Sequence, residues 1–184
     1  MVGEEFAALL AAAKEGDEVA FSALWRDANP ALLRYLRMVT PAHAEDVAAE
    51  TWVQVLRGLA HFTGDEVAWR AWLFTNARRR VLDQVRHRAR HPSEPLDDLH
   101  AAELPRSADA AQLAMDNIAT ERAIALVSQL PPQQAEVIML RVVAGLDTEA
   151  VAQIVGRSPG AVRVAAHRGL KKLATMLAAT GVTL

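Results

Sequence analysis

The sequence predicts an all-α protein of two small helical domains joined by a flexible acidic linker, and three observations carry that reading. Apolar residues recur at helical spacing through long stretches, while β-branched runs with period-two alternation are missing. Ala, Leu, Arg and Glu, all good helix formers, are abundant. Residues 92–116 break the pattern with three prolines, six acids and a single arginine, the composition of a tether. With 184 residues, 52% hydrophobic and 5% aromatic, the chain can bury one modest core or two small ones, filled mainly by Ala, Leu and Val.

The elements follow in order. Phe6, Leu9, Leu10 and Ala13 form a first helical stripe. Val19, Phe21, Leu24, Trp25, Leu32, Leu33, Leu36 and Val39 continue it, with an interruption expected at Asn29 and Pro30 before Thr40 and Pro41 punctuate the chain. Val47, Thr51, Val55 and Leu59 stand four apart on a fourth helix, and residues 63–66 read as a loop. A fifth helix from Val67 to Arg90 is stopped by Pro92. The tether holds at most a short helix around Ala108 to Met115, and periodicity resumes at Ile118. After Pro131 and Pro132, the apolar residues Val137, Ile138, Leu140 and Val143 mark a helix ended at Gly145. Asp147 is placed to N-cap residues 148–155, Gly156 to close them, and Ser158 with Pro159 to open the last helix. The expected domains are 1–91 and 117–184, with the linker at 92–116.

Several function classes are excluded. There is no cysteine, hence no disulfide, thiol chemistry or cysteine-ligated zinc. No apolar run approaches the roughly 20 residues a bilayer span needs, and the acidic N-terminus is not a signal peptide, so a cytoplasmic protein is expected. Gly-rich phosphate loops, nucleophile elbows and paired catalytic groups are missing, so neither an enzyme nor a cofactor is expected. His87 and His91 stand one turn apart, but neighbouring arginines repel a cation and no third ligand is apparent.

The net charge is only −2, yet its distribution is uneven. From Trp69 to His91 there are seven arginines and one acid, Asp83; from Arg157 to Lys172 there are five Lys or Arg and no acid. On the last helix Gly160, Arg163, Val164, His167, Arg168 and Lys171 fall on one side. Val162, Ala165, Ala166, Gly169 and Leu173 fall on the other, mostly small side, which suits close crossing by the preceding helix of a helix-turn-helix. Two basic surfaces on a nearly neutral chain point to two contacts with one polyanion. A solvated bundle face is the alternative for the basic stripe alone.

Here the residues reach a resemblance. LPPQQAEVIMLRVVAGLDTEAVAQIVGRSPGAVRVAAHRGLKKL, at 130–173, resembles region 4 of the bacterial RNA polymerase sigma-70 family, in its small extracytoplasmic-function (ECF) group. AEDVAAETWVQVL at 44–56 resembles region 2.2, and WRAWLFTNARRRVLDQVRHRAR at 69–90 resembles regions 2.3 to 2.4. The matches come in the family's order and cover most of 20–175, so the extra domains of a housekeeping sigma factor are not expected.

The resemblance implies a specificity factor that binds core RNA polymerase and directs it to promoter DNA. Region 4 would read the minus-35 element through Arg157, Ser158, Gly160, Ala161, Arg163, Val164, His167, Arg168 and Lys171. Arg163 stands at a usual Lys or Arg, and His167 with Arg168 match the family's HR. Ala161, Val164 and Ala165 replace frequent Thr, Ser and Arg, leaving few groups able to read hydrogen-bond patterns, while Val164 and Ala161 could touch thymine methyls instead. In region 2, Phe62, Thr63, Gly64 and Asp65 would form the loop that captures a flipped base of the minus-10 non-template strand. Arg78, Arg79, Arg80, Arg86 and Arg88 would be its phosphate track. Asn76 stands at a usually apolar position and Arg79 at a usual Asn, while Trp69, Trp72 and Phe74 remain open between core and base stacking. Asp46 and Glu50, one helical turn apart, match the positions that dock on the clamp coiled coil of the polymerase, and Ala49 stands where Gln is frequent. The acidic linker would thread the RNA exit path. An anti-sigma factor clamped between the domains is the further partner implied. A stand-alone helix-turn-helix regulator is the rival, though it would have no need for the arginine-rich helix at 69–90.

Overall fold

A computed structural model describes residues 2–90 and 120–179, and all regular structure among them is helical. The linker at 92–116, including the short helix expected near Ala108, lies outside the described residues. The N-terminal domain packs α1 (Phe6–Lys14), α2 (Glu18–Val39), α3 (Ala44–Gly58) and α4 (Glu66–Arg90) into a bundle. The C-terminal domain holds α5, described over 120–127, and α6 (Pro132–Ile138), which runs into a π-helical turn (Met139–Val143). These are followed by α7 (Thr148–Val155) and α8 (Pro159–Ala179).

The interruption expected at Asn29 and Pro30 is absent, and α2 runs unbroken through both. Proline removes one helical hydrogen bond, but Ala28, Ala31 and Leu32 are buried on either side of it. The Asn29 side-chain oxygen also accepts from Trp52 Nε1 at 2.9 Å. Tertiary burial outweighs the local break, so the helices expected as fourth and fifth are third and fourth. Asp17 caps α2, its carboxylate accepting from the amides of Val19 and Ala20.

The few aromatics concentrate in the N-terminal core. All four phenylalanines, the single tyrosine and three of the four tryptophans make ring contacts there. Phe6 meets Trp69 at 6.3 Å, tying α1 to α4, and Tyr35 meets Phe74 edge-on at 5.5 Å, tying α2 to α4. Arg70 is buried and paired with Asp27, and buried Glu66 accepts from the backbone amides of Val2 and Gly3 at 2.8 and 3.0 Å. Each carboxylate thus has donors to offset the cost of leaving water.

In the C-terminal domain Val137, Ile138, Leu140, Leu146, Val151, Ile154 and Val162 make the core. The Asp147 carboxylate caps α7 by accepting from the Ala150 amide at 2.7 Å, and Gly156 closes it in the left-handed region. Ser158 Oγ accepts from the Ala161 amide at 3.2 Å, with Pro159 in the first turn of α8. The small side of α8 faces inward as expected, but its tightest approach is to α6 rather than α7: a Cβ on Gly169 would lie 2.6 Å from Ile138 Cδ1. The domains touch where α2 and α4 meet the π-helical turn and α7.

Candidate nucleic-acid interface

The α7–turn–α8 unit fixes the first basic surface. Its caps are local, and Gly169 lets α8 lie close on α6, so the opposite side of α8 points away from the core. All nine residues of the minus-35 set, Arg157, Ser158, Gly160, Ala161, Arg163, Val164, His167, Arg168 and Lys171, are exposed. Val164 is 49% exposed and stands among the basic groups, an apolar element that gains nothing from water. Arg163 comes within 3.9 Å of Glu149, but both side chains are about two-thirds exposed, so the pair holds Arg163 weakly. Gly160, Ala161, Val164 and Arg168 line one wall of a groove whose other wall is Pro131 to Gln134.

The second set is split by burial. Thr63, Gly64 and Asp65 are exposed, whereas the Phe62 ring is buried, stacked on Trp72 at 5.0 Å and set edge-on to Trp69. The Phe62 ring thus packs beneath the loop as part of the aromatic core. Gly64 has φ +146, and a Cβ there would lie 2.7 Å from the Ala68 Cβ, so the loop requires glycine at this point. Asp65 stands just before α4 and caps it, its carboxylate accepting from the Ala68 amide at 2.8 Å. Trp69 and Phe74 belong to the core, at 2% and 0% exposure, while Trp72 is partly buried against Gly58.

The arginines of α4 do not form one uniform track. Arg70, counted with the basic run in the sequence, is buried and internal. Arg79 is exposed, and Arg86 is exposed with Asp83 at 3.2 Å on its own helix. Arg80 approaches Glu50 of α3 at 3.6 Å, joining a residue expected to hold phosphate to one expected to meet the polymerase. Arg88 lies on α4, and its side chain is outside the described ones. Asp46 and Glu50 are both exposed on α3, with Val53 on the same stripe. His91 lies outside the described residues, so the His87–His91 pair is not described. Among the described residues no group of three or more His, Cys, Asp or Glu is placed to hold a metal.

Arg78 is the largest departure from the expected track. Its Nε donates to Glu136 Oε1 of α6 at 2.7 Å, and Tyr35 Oη donates to the same oxygen at 3.1 Å. Burial opposes charge on Arg78, but the Glu136 hydrogen bond and charge outweigh it and hold the guanidinium more firmly protonated than usual. Burial, then the Glu136 charge and hydrogen bond, push the Tyr35 phenol well above its ordinary range. A cleft of about 160 Å³ beside this pair is lined by Arg78 together with Arg157 and Ala161, so members of both basic sets face each other across the domain junction. Tyr35, Glu136 and Lys14, whose Nζ donates to the Phe62 carbonyl, were not singled out from the sequence. Only the isolated tyrosine on the apolar side of α2 offered a signal.

The family model described as Sigma-70 region 2 matches residues 24–91, and that described as Sigma-70, region 4 matches 120–173. The chain is 32% identical over 190 residues to the ECF RNA polymerase sigma factor SigD of Mycobacterium tuberculosis, covering 98% of this chain and 88% of that one. It is 35% identical over 177 residues to ECF RNA polymerase sigma factor ShbA of Streptomyces griseus, covering 90% and 92%. In fold it resembles CnrH, solved in complex with the cytosolic domain of CnrY, with a TM-score of 0.61 and 23% identity over 94% of this chain and 96% of that one. It resembles equally the sigma factor RpoE solved with the anti-sigma factor NepR from Bartonella quintana, with a TM-score of 0.61 and 22% identity over 85% and 96%.

Proposed function

Because the chain belongs to the sigma-70 family, as an ECF sigma factor directing promoter-specific transcription initiation with RNA polymerase, we propose the following division of labour among its residues. The domain of residues 1–91 binds core polymerase through Asp46 and Glu50 and engages the minus-10 element through Thr63, Gly64 and Asp65, with Phe62 supporting them from beneath. Arg79, Arg80, Arg86 and Arg88 hold the phosphates of the opened strand, and Arg78 joins them when the domains part. The domain of residues 117–184 reads the minus-35 element with α8, Arg163 and Val164 facing base edges and Arg168 and Lys171 the backbone. The residues at 92–116 link the two.

One observation carries this reading: a capped helix-turn-helix exposes an acid-free basic side of α8 while its small side is locked on α6. The protein acts by binding rather than catalysis, and it works in the cytoplasm where the polymerase is. The sigma factor RpoE, similar in fold, is solved with the anti-sigma factor NepR, and an inhibitor of that kind is the natural regulator here. Run-off transcription with sigma-free core polymerase on a genomic promoter library tests the reading. Promoter-dependent transcripts that vanish with the double variant Asp46→Ala, Glu50→Ala support it, and no transcript from any template rejects it.

A further inference from the structure

We propose that Lys14 is a positioning residue for the strand-capturing loop, bracing from α1 the backbone that presents Thr63, Gly64 and Asp65. The inference rests on the reading of that loop as the minus-10 contact and adds a residue from outside it. Lys14 Nζ donates to the Phe62 carbonyl across 48 residues of sequence, at the point where the chain leaves the 3₁₀ turn of Leu59–His61 and becomes extended. Below the carbonyl the Phe62 ring is clamped by Trp69 and Trp72; beyond it Gly64 takes a backbone conformation that other residues rarely adopt. The loop is thus held at its far end by the Asp65 cap and at its near end by Phe62. Lys14 is the charged donor that fixes the near carbonyl.

α1 is itself firmly seated, which makes Lys14 a fixed post rather than a surface lysine. The Phe6 ring lies 6.3 Å from Trp69, Leu10 and Ala13 are buried, and the chain just before α1 is pinned by the amides of Val2 and Gly3 on the buried Glu66 carboxylate. Glu66 is the first residue of α4, next to Asp65, so the N-terminal segment grips both ends of the same loop. A hydrogen bond from an ionised donor restrains a carbonyl more strongly than a neutral one. Capture of an unstacked base gains most when the receiving backbone is already in place.

The test uses full-length protein assembled with core polymerase. Affinity is measured for a forked promoter with a single-stranded minus-10 segment, and for the same fork made abasic at each non-template position in turn. The wild type is expected to bind the intact fork more tightly than a fork abasic at the captured position. Lys14→Met should shrink that ratio about three- to tenfold while leaving affinity for the abasic fork unchanged, and Lys14→Arg should restore it. A Lys14→Met holoenzyme that keeps the full ratio overturns the role of Lys14 and leaves the loop assignment standing. Equal loss on both forks also overturns it, since that is the mark of a merely structural lysine. A wild type indifferent to every abasic position overturns the loop assignment and the proposal together.

Discussion

Tyr35 is the chain's one tyrosine, and its hydroxyl donates to a carboxylate 101 residues away in sequence. Its folded pKa is raised first by burial and then by Glu136. The phenol therefore stays protonated above the ordinary value of about 10. The sign follows from linkage: this contribution to stability is fully present below the unfolded pKa and is lost as pH rises through the folded one. Tyrosinate absorbance, free of other tyrosines, is expected to titrate well above pH 10, and Glu136→Ala should move the midpoint down. An unchanged midpoint would deny the contact. On α8 two residues of the exposed side should behave differently. Arg163→Ala is expected to weaken promoter binding by about 1–3 kcal/mol and to relax sequence preference, as loss of a base-edge contact does. Lys171→Ala should weaken cognate and scrambled DNA alike and reduce the salt dependence of binding. Equal losses on both DNAs for Arg163→Ala would reject base reading.

At the scale of elements, caps and close approaches set what each helix can present. Removing the Asp147 cap with Ala should cost about 1 kcal/mol, read as a lower Tm with DNA contacts intact. Gly169→Val has a larger expected cost, about 1–3 kcal/mol from overpacking, because its first added carbon already falls 2.6 Å from Ile138. It should also tilt α8 and so impair promoter binding beyond the loss of stability, which distinguishes it from the cap variant. The start of α8 at Ser158 and Pro159, the cap at Asp147 and the stop at Gly156 were legible because each depends on a few adjacent residues. Pro30 misled for the same reason: a local rule indicates a break, and burial of Ala28, Ala31 and Leu32 overrides it. Phe62 shows the limit for a loop. Nothing local separates a ring that meets a base from one that stacks on Trp72.

For the whole molecule, the consequence lies in how the two domains meet. Glu136 holds Arg78 and Tyr35 at once, and Arg157 and Ala161 face Arg78 across the adjoining cleft. Glu136→Ala removes a charge-assisted bond worth about 2 kcal/mol. The variant is expected to show a greater distance between dyes placed on α3 and on α8, and stronger binding to duplex promoter DNA. An unaltered distance distribution would show that other contacts keep the domains together. The helical class, the two-domain order, the caps and the two stretches rich in positive charge were all readable beforehand, since periodicity, capping and composition are properties of neighbouring residues. Which charges meet was not readable. Arg78 finds Glu136 across 58 positions, Lys14 finds Phe62 across 48, and Arg70 turns inward to Asp27, because such pairings depend on how helices pack against one another and local sequence carries no record of that packing.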